Sequence, residues 1–371
     1  MRVQRTMGRT VALLALGIFI RGAGPSAALG AEPGAKAAGA VGAGKAAAAE
    51  VVTSGDWKMT LPLGLQAGAA NIPADNPMTD DKIALGKLLY FDPRLSKDNT
   101  VSCASCHMPF HGFADPHRTS AGVGEKLGGR NSPTVINRLF SSDQFWDGRA
   151  DSLEAQAHGP LTNPVEMAMP SHDEVVGKVK AIKGYGPLFQ KAFGDETIDM
   201  PRVAKAIAAY ERTVVAGNSP FDRYQAGDKD AMSASAVRGM NLFNGRANCS
   251  TCHVGFNFSD ENYRNIGVGM DKPKPDLGRY DVTKKDADKG AFKTPTLRNI
   301  AQTAPYMHDG SEDTLAATIE FYVKGGVKNP NLSSDIKPLR LTPQEKADLV
   351  AFMEALTGDV NNISPPESLP Q

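Results

Sequence analysis

The spacing of apolar and polar residues predicts a chain of short helices arranged in two similar halves. Residues 82–91 and 236–243 are amphipathic, and each carries a glycine and ends near an aromatic residue. Residues 201–215 repeat apolar side chains at helical spacing. A last helix begins at Thr342, where Thr-Pro-Gln-Glu forms a capping box with proline at the first helical position. Gly-, Pro- and Asn-rich loops separate these segments, so the pattern predicts a mainly α protein.

The N-terminal pattern differs from the rest and predicts a secreted chain. Three arginines precede the apolar run 11–20, and small residues follow to position 31. This order is typical of a secretory signal peptide over 1–30, and its apolar run is too short to span a bilayer. Residues 31–60 are predicted to be a flexible Ala/Gly-rich leader. We therefore expect a periplasmic protein that is not inserted in a membrane after cleavage of the signal.

The remaining chain is long enough for two domains, predicted at 61–225 and 226–371. The formal charge is zero, with 41 basic and 41 acidic residues. Four of the basic residues are arginines in the first 30 positions, which hold no acidic residue, so the secreted part carries a small negative charge. That balance argues against a nucleic-acid partner and gives no reason to expect binding to a membrane surface.

The candidate chemistry lies in two copies of C-x-x-C-H, which use all four cysteines of the chain. One copy is Cys103 and Cys106 followed by His107, and the other has the same spacing at residues 249–253. Cysteines in this pattern form thioether bonds to the two vinyl groups of a haem, and the adjacent histidine ligates the iron. A zinc or redox C-x-x-C followed by a chance histidine is the alternative. Two motifs in an exported chain favour two covalently bound haem c groups.

The second axial position of each iron decides the function, and spacing alone leaves it open. Methionine or a second histidine favours electron transfer, an empty position permits peroxide chemistry, and tyrosinate stabilises oxidised iron. The chain offers seven histidines, thirteen methionines and eight tyrosines as candidates.

Five further segments carry a resemblance to a known family. They are Arg-Asn-Ser-Pro-Thr at 130–134, Phe-Trp-Asp-Gly-Arg at 145–149, Gly-Pro-Leu-Thr-Asn-Pro-Val-Glu-Met at 159–167, Thr-Pro-Thr-Leu-Arg-Asn at 294–299 and Ala-Pro-Tyr-Met-His-Asp-Gly at 304–310. With the two haem motifs, they make the region from about 80 to 360 similar to the bacterial dihaem cytochrome c peroxidase and MauG family. The resemblance implies two cytochrome c-like helical domains, each with one covalent haem.

The resemblance also implies roles for individual residues. His107 matches the proximal ligand of an N-terminal, reactive haem, and His253, which follows Cys249 and Cys252, matches that of a C-terminal, electron-transferring haem. Trp146 matches the electron relay between the haems, although it could be only a core aromatic residue.

Two further sets of residues follow from the same resemblance. Gln156 and Glu166 match the distal residues over the reactive iron, although Glu166 could be a helix-capping or surface acid. Asn131, Thr303 and Pro305 match positions that hold a structural calcium ion between the domains, through one side-chain carbonyl and two backbone carbonyls.

Two departures favour the MauG-like branch. Val123 stands sixteen residues after His107, where peroxidases that need reductive activation carry an iron-occluding histidine. The reactive iron is therefore expected to be open, unless His111 or His117 replaces that ligand. Tyr322 stands where peroxidases carry a haem-ligating methionine.

Tyr322 is thus the expected second ligand of the C-terminal iron, with Met307 and Met270 as alternatives. A glutamate beside an open iron can move the peroxide proton between the two oxygens. The expected function is a dihaem peroxidase that uses hydrogen peroxide and oxidises a protein substrate in the MauG manner.

Two other functions remain as alternatives. A cytochrome c peroxidase would take its electrons from a small cytochrome or copper protein. A non-catalytic dihaem electron carrier is the alternative from another class, and an open iron disfavours it. Whether the protein is a monomer or a homodimer is open.

Overall fold

Helices dominate the computed structural model, which describes residues 49–371. The predicted signal peptide and most of the predicted leader lie outside the described residues. Within the described part, eleven α-helices follow in chain order: α1 (Asp80–Phe91), α2 (Cys103–Cys106), α3 (Leu153–Thr162), α4 (His172–Ala181), α5 (Tyr185–Phe193), α6 (Met200–Glu211), α7 (Pro220–Gln225), α8 (Ala234–Asn244), α9 (Tyr280–Thr283), α10 (Leu315–Lys324) and α11 (Pro343–Glu354). None of the helices from residue 49 onward is long and apolar enough to cross a membrane.

The strands of residues 49–371 are short and pair in three antiparallel two-stranded sheets. These pairs are β1 (Val51–Ser54) with β2 (Trp57–Thr60), β3 (Ala216–Gly217) with β6 (Asp359–Val360), and β4 (Tyr263–Arg264) with β5 (Phe292–Lys293). The predicted mainly α class is therefore confirmed.

The β1–β2 hairpin occupies residues that the sequence pattern had placed in a flexible leader, so the leader prediction extended too far. A two-residue Gly-Asp turn joins the strands, and Gly55 adopts φ +60°, which suits a tight hairpin. Val52 points inward and packs with Leu61 and Leu65 in a small apolar cluster. Burial of these side chains holds the hairpin against the folded chain.

The first half is built on the crossing of α1 and α6. Asp199 accepts a hydrogen bond from the backbone N–H of Arg202 and so caps the start of α6. At the crossing, Gly86 lies so close to the Ala206 carbonyl that a Cβ would collide with it. The predicted glycine contact is therefore part of the helix crossing.

The second half repeats this arrangement with α8 and α11. A Cβ on Gly239 would collide with the carbonyl of Asp348 on α11. The capping box predicted at Thr342 is present, with hydrogen bonds in both directions between Thr342 and Glu345. In each half, a glycine on the first helix therefore allows close contact with the closing helix.

The chain crosses between the halves more than once, so a single boundary near residue 225 does not describe every contact. The C-terminal strand β6 returns to pair with β3 of the first half. Asp222 on α7 forms a buried ion pair with Arg298 at 2.7 Å, and Arg298 also donates to the Gly64 carbonyl at 3.0 Å. Both halves belong to one compact unit.

Candidate haem sites

The first C-x-x-C-H motif forms a capped helical turn that presents its histidine inward. Ser102 and Ser105 form a capping box around α2, and the backbone N–H of His107 donates to the Cys103 carbonyl at 3.0 Å. Burial lowers the pKa of His107 to about 4, so its imidazole is neutral. Neutral imidazole is the form that binds metal ions.

The cavity beside this motif, here the N-terminal cavity, has a volume of about 420 Å³. Cys103, Cys106 and His107 all line it. Its size is within the range of cofactor sites, and its wall holds two thiols and a neutral imidazole. The residues present therefore fit a covalently attached haem.

The second motif repeats this local geometry. The backbone N–H of His253 donates to the Cys249 carbonyl at 3.0 Å. Its Nδ1 lies 3.0 Å from the Phe258 carbonyl, a contact that orients the imidazole with Nε2 free for the metal. Burial lowers the pKa of His253 below the usual range of histidine. The adjoining C-terminal cavity, of about 390 Å³, is lined by Cys249, Cys252 and His253 and fits a second haem.

The zinc alternative finds no support in the geometry. Among residues 49–371, no three His, Cys, Asp or Glu side chains are grouped so that they could hold a metal ion. Each motif has its histidine facing a cavity of cofactor size rather than completing a compact ligand set with other side chains.

The two predicted distal residues both line the N-terminal cavity. Gln156 lies on α3, and Glu166 lies in the loop that follows this helix. Asn163 donates a hydrogen bond to Glu166 Oε1 at 2.7 Å. Burial raises the pKa of Glu166, while the nearby Arg149 opposes that rise. Glu166 is thus a half-buried cavity residue and caps no helix, although its role in proton transfer stays a prediction.

The loop that carries Val123 contributes no iron ligand to the N-terminal cavity. Its backbone N–H donates to the Glu166 carbonyl at 2.8 Å, and its side chain packs on the apolar core. His111 Nε2 lies 2.7 Å from the Ala304 carbonyl. His117 lies 2.8 Å from Asp115 and is largely exposed. In the described structure His107 is thus the histidine that lines this cavity, and the two proposed substitutes are engaged elsewhere.

Trp146 lines both cavities, which is the position that an electron relay requires. Its indole Nε1 donates to the Asn131 carbonyl at 2.8 Å, and this bond fixes the ring. The turn after Trp146 packs on the second half, because Gly148 leaves room for Tyr263. Arg130 fixes the same turn through ion pairs of 2.7 Å to both Asp147 and Asp276.

The structure narrows the candidates for the second ligand in the C-terminal cavity. Tyr322 on α10 and Met307 both line it, whereas Met270 does not. Burial raises the pKa of the Tyr322 hydroxyl, so a cation such as iron is needed to stabilise its phenolate. His308 also lines the cavity, where its ring stacks on Phe292 at a centroid distance of 3.5 Å.

The three residues predicted to bind calcium all line the C-terminal cavity. They are Asn131, Thr303 and Pro305. Asn131 joins the halves, since its backbone N–H donates to the His308 carbonyl at 2.8 Å. Carbonyl oxygens suit calcium, and the set would need water molecules to complete its coordination. The calcium site stays a prediction.

Sequence reasoning missed several charged residues in the cavity walls, among them Glu211 and Arg138. Glu211 on α6 lines the N-terminal cavity, and burial raises its pKa to about 8. Arg138 lines both cavities. A signal was present, because Glu211 lies four residues after Ile207 on the apolar face of α6, and Arg138 interrupts an apolar run.

Comparisons with known proteins agree on one family. Residues 80–230 match the family described as di-haem cytochrome c peroxidase, and residues 236–357 match cytochrome c. The chain is 45% identical to the methylamine utilization protein MauG of Methylorubrum extorquens over 80% of this chain and 83% of that protein. It is 39% identical to the cytochrome c551 peroxidase of Nitrosomonas europaea over 81% and 90%, respectively.

Solved structures agree with these matches. A crystal structure of a MauG-like protein associated with microbial copper homeostasis superposes with a TM-score of 0.76 at 32% identity, covering 84% of this chain and 98% of that one. The diheme peroxidase BthA from Burkholderia thailandensis has the same fold, with a TM-score of 0.69 at 24% identity over 84% and 93% of the two chains.

Proposed function

The chain belongs to the di-haem cytochrome c peroxidase and MauG family, and within it we propose a MauG-like enzyme that uses hydrogen peroxide to oxidise a protein substrate. It is an enzyme of the peroxidase type with two covalently bound haem c groups. This sets aside the non-catalytic electron carrier.

The observation that carries the proposal is that Tyr322 and His253 both line the C-terminal cavity. A phenolate is a hard, anionic ligand and favours oxidised iron, whereas a thioether favours reduced iron. A tyrosinate-ligated haem would therefore share the oxidising power gained from peroxide. A protein substrate could then be oxidised at the C-terminal side of the molecule.

The N-terminal cavity supplies the residues for peroxide chemistry. When bound, the haem supplies the iron at which peroxide is reduced. Glu166 would take a proton from one peroxide oxygen and return it to the other, which makes water the leaving group. Gln156, on α3, would orient the peroxide by hydrogen bonding. Trp146 would conduct electrons between the two cavities that it lines.

We also propose a cellular setting and a structural ion for the enzyme. The signal peptide predicted over residues 1–30 supports a periplasmic location.

Asn131, Thr303 and Pro305 would hold a calcium ion beside the Trp146 contact, since Trp146 donates to the Asn131 carbonyl. We propose that this ion fixes the relay between the halves.

Matched variants of the two candidate ligands test the proposal. Tyr322→Phe removes the hydroxyl, so the absorption and redox properties of the C-terminal haem should change while its haem content stays whole. Met307→Leu, at a residue lining the same cavity, should leave the absorption and the redox properties of the C-terminal haem unchanged. If Met307→Leu changes the absorption and redox properties of the C-terminal haem and Tyr322→Phe does not, the MauG-like assignment is contradicted.

A cytochrome c peroxidase is the second candidate function, because Met307 also lines the C-terminal cavity. The Nitrosomonas relative carries the name of a cytochrome c551 peroxidase. In that case a small cytochrome or copper protein would supply the electrons. Rapid peroxide turnover with a reduced small cytochrome, in a chain whose haem depends on Met307, would favour this candidate.

A further inference from the structure

Arg138 is a positively charged, half-buried residue beside the two haem cavities. It begins a short 3-10 turn (Arg138–Phe140), directly after Asn137, which adopts φ +63°. The residue lines both the N-terminal and the C-terminal cavity. Burial lowers its pKa, which shows that the protein around it does not fully compensate its charge.

Most of the hydrogen-bonding capacity of Arg138 is unused by the protein. Its Nε donates to the Thr134 carbonyl at 2.8 Å. A guanidinium has five N–H donors, and the other four lie on Nη1 and Nη2. No acceptor for these four is found among residues 49–371, yet neither nitrogen is sealed off by protein atoms. The donors are therefore accessible to a bound group.

The two fully buried arginines of residues 49–371 have carboxylate partners. Arg212 pairs with Glu154 at 2.6 Å, and Arg298 pairs with Asp222 at 2.7 Å. Burying an ion without a partner is strongly unfavourable, because the protein interior solvates charge poorly. Arg138 is half-buried, and no carboxylate of residues 49–371 forms an ion pair with it, so a bound anion would stabilise its charge.

The neighbouring acidic side chains do not supply such an anion. Glu211 and Glu261 act on Arg138 from a distance, but neither forms an ion pair with it in the described part of the chain. Glu261 is instead paired with Lys293 at 2.8 Å. Burial also raises the pKa of Glu211 to about 8, so its carboxyl is largely neutral at pH 7.

We propose that Arg138 is a shared propionate-binding residue for the two haems. Each haem brings two propionate carboxylates, and a planar guanidinium binds carboxylate oxygens through parallel N–H bonds. Because Arg138 lines both cavities, one side chain would bind a carboxylate from each haem. It would hold the two rings in fixed relation on either side of Trp146.

The proposal has an electrostatic consequence that differs from a purely structural role. Reduction removes one positive charge from each haem, and a nearby cation favours that change. A shared cation should therefore raise the reduction potentials of both haems together. This consequence does not depend on which protein supplies or receives the electrons.

The test is a redox titration of the holoprotein by spectroelectrochemistry, with Arg138→Gln, Arg138→Lys and a control. In Arg138→Gln, the reduced-to-oxidised ratio of both haems at a fixed potential should fall by about tenfold or more. Arg138→Lys keeps the charge, so its ratios should stay closer to the wild type. The control is Arg246→Gln, because Arg246 lines only the C-terminal cavity, is exposed and pairs with Glu345. It should leave the N-terminal haem unchanged.

The outcomes separate the alternatives. A shift of only one haem in Arg138→Gln would overturn the sharing, and a shift of neither would make Arg138 a structural residue. If Arg138→Gln retains too little haem to titrate, Arg138→Lys decides through resonance Raman spectra. Lysine lacks the planar guanidinium and its parallel N–H donors, so the propionate bending bands of both haems should change in Arg138→Lys. Unchanged bands in both haems would refute the proposal.

Discussion

Replacing Glu166 with glutamine tests the proposed proton transfer, because it removes the proton carrier and preserves the shape. The Gln carbonyl can still accept the hydrogen bond that Asn163 donates to Glu166 Oε1 at 2.7 Å, so the loop should keep its position. General acid–base catalysis contributes about 10²–10⁴-fold to rate. This range corresponds to about 3–5 kcal/mol of activation free energy. We expect the reaction with peroxide to slow by that factor.

The assay is stopped-flow absorption of the oxidised holoprotein mixed with hydrogen peroxide, across a range of pH. Burial raises the pKa of Glu166, so its proton-accepting carboxylate should be lost as the pH falls through a value above that of ordinary glutamate. The wild-type rate should therefore fall on the acid side, and the variant should lack this step. Glu125→Gln is the matched control, since Glu125 is an exposed carboxylate in the neighbouring loop outside the cavity.

Two results would refute the reasoning about Glu166. An unaltered rate in Glu166→Gln, with haem content and resting spectrum intact, would assign Glu166 a structural role. An equal loss of rate in Glu125→Gln would show that the effect comes from the loop and not from proton transfer.

Three further predictions follow from packing, burial and the interdomain contact. Gly86→Ala should lower the unfolding free energy, measured by denaturant titration, by about 1–3 kcal/mol. Gly177→Ala, whose new methyl group would meet open space on α4, should raise the unfolding free energy slightly. Equal effects of the two substitutions would contradict the close contact at the α1–α6 crossing. Because burial raises the pKa of Glu211 to about 8, the native state keeps a proton that the unfolded chain releases near pH 4.5, and stability should fall as pH rises between these values. Glu211→Gln should not lose stability in this way. The unfolding free energy of the variant relative to the wild type should therefore rise by up to about 1.4 kcal/mol per pH unit and level off above pH 8. A difference that stays constant with pH would refute the raised pKa of Glu211. Chelation should reduce activity and added Ca²⁺ should restore it, less so in Asn131→Ala; full activity of metal-depleted protein would exclude the ion.

The sequence predicted those parts of the fold that local patterns determine. The α8–α11 crossing was visible in helical periodicity and in the capping box at Thr342, because both depend on neighbouring residues. The hairpin at residues 51–60 was missed, although it has β-branched residues and a Gly-Asp turn, because the Ala/Gly-rich segment before it dominated the composition. The pairing of β6 with β3 joins residues about 140 positions apart and has no local signal.

The candidate site divides in the same way. The geometry around His107 and His253 follows from the motif itself, since each turn is closed by a bond within five residues. The place of Trp146 in both cavity walls was anticipated only through family resemblance. A charge within an apolar run marks Arg138 in the sequence, but its significance could not be predicted, because it depends on carboxylates that do not reach it in the fold. Such an absence is a property of the folded chain.

The central claim is that the N-terminal iron has an open position and that Tyr322 saturates the C-terminal iron. The most direct measurement is electron paramagnetic resonance of the fully oxidised holoprotein, before any reductant or peroxide is added. We expect one high-spin and one low-spin ferric signal in equal amounts, and Tyr322→Phe should alter only the low-spin signal. Two low-spin signals in the wild type would mean that a side chain occupies the reactive iron, which would contradict the claim.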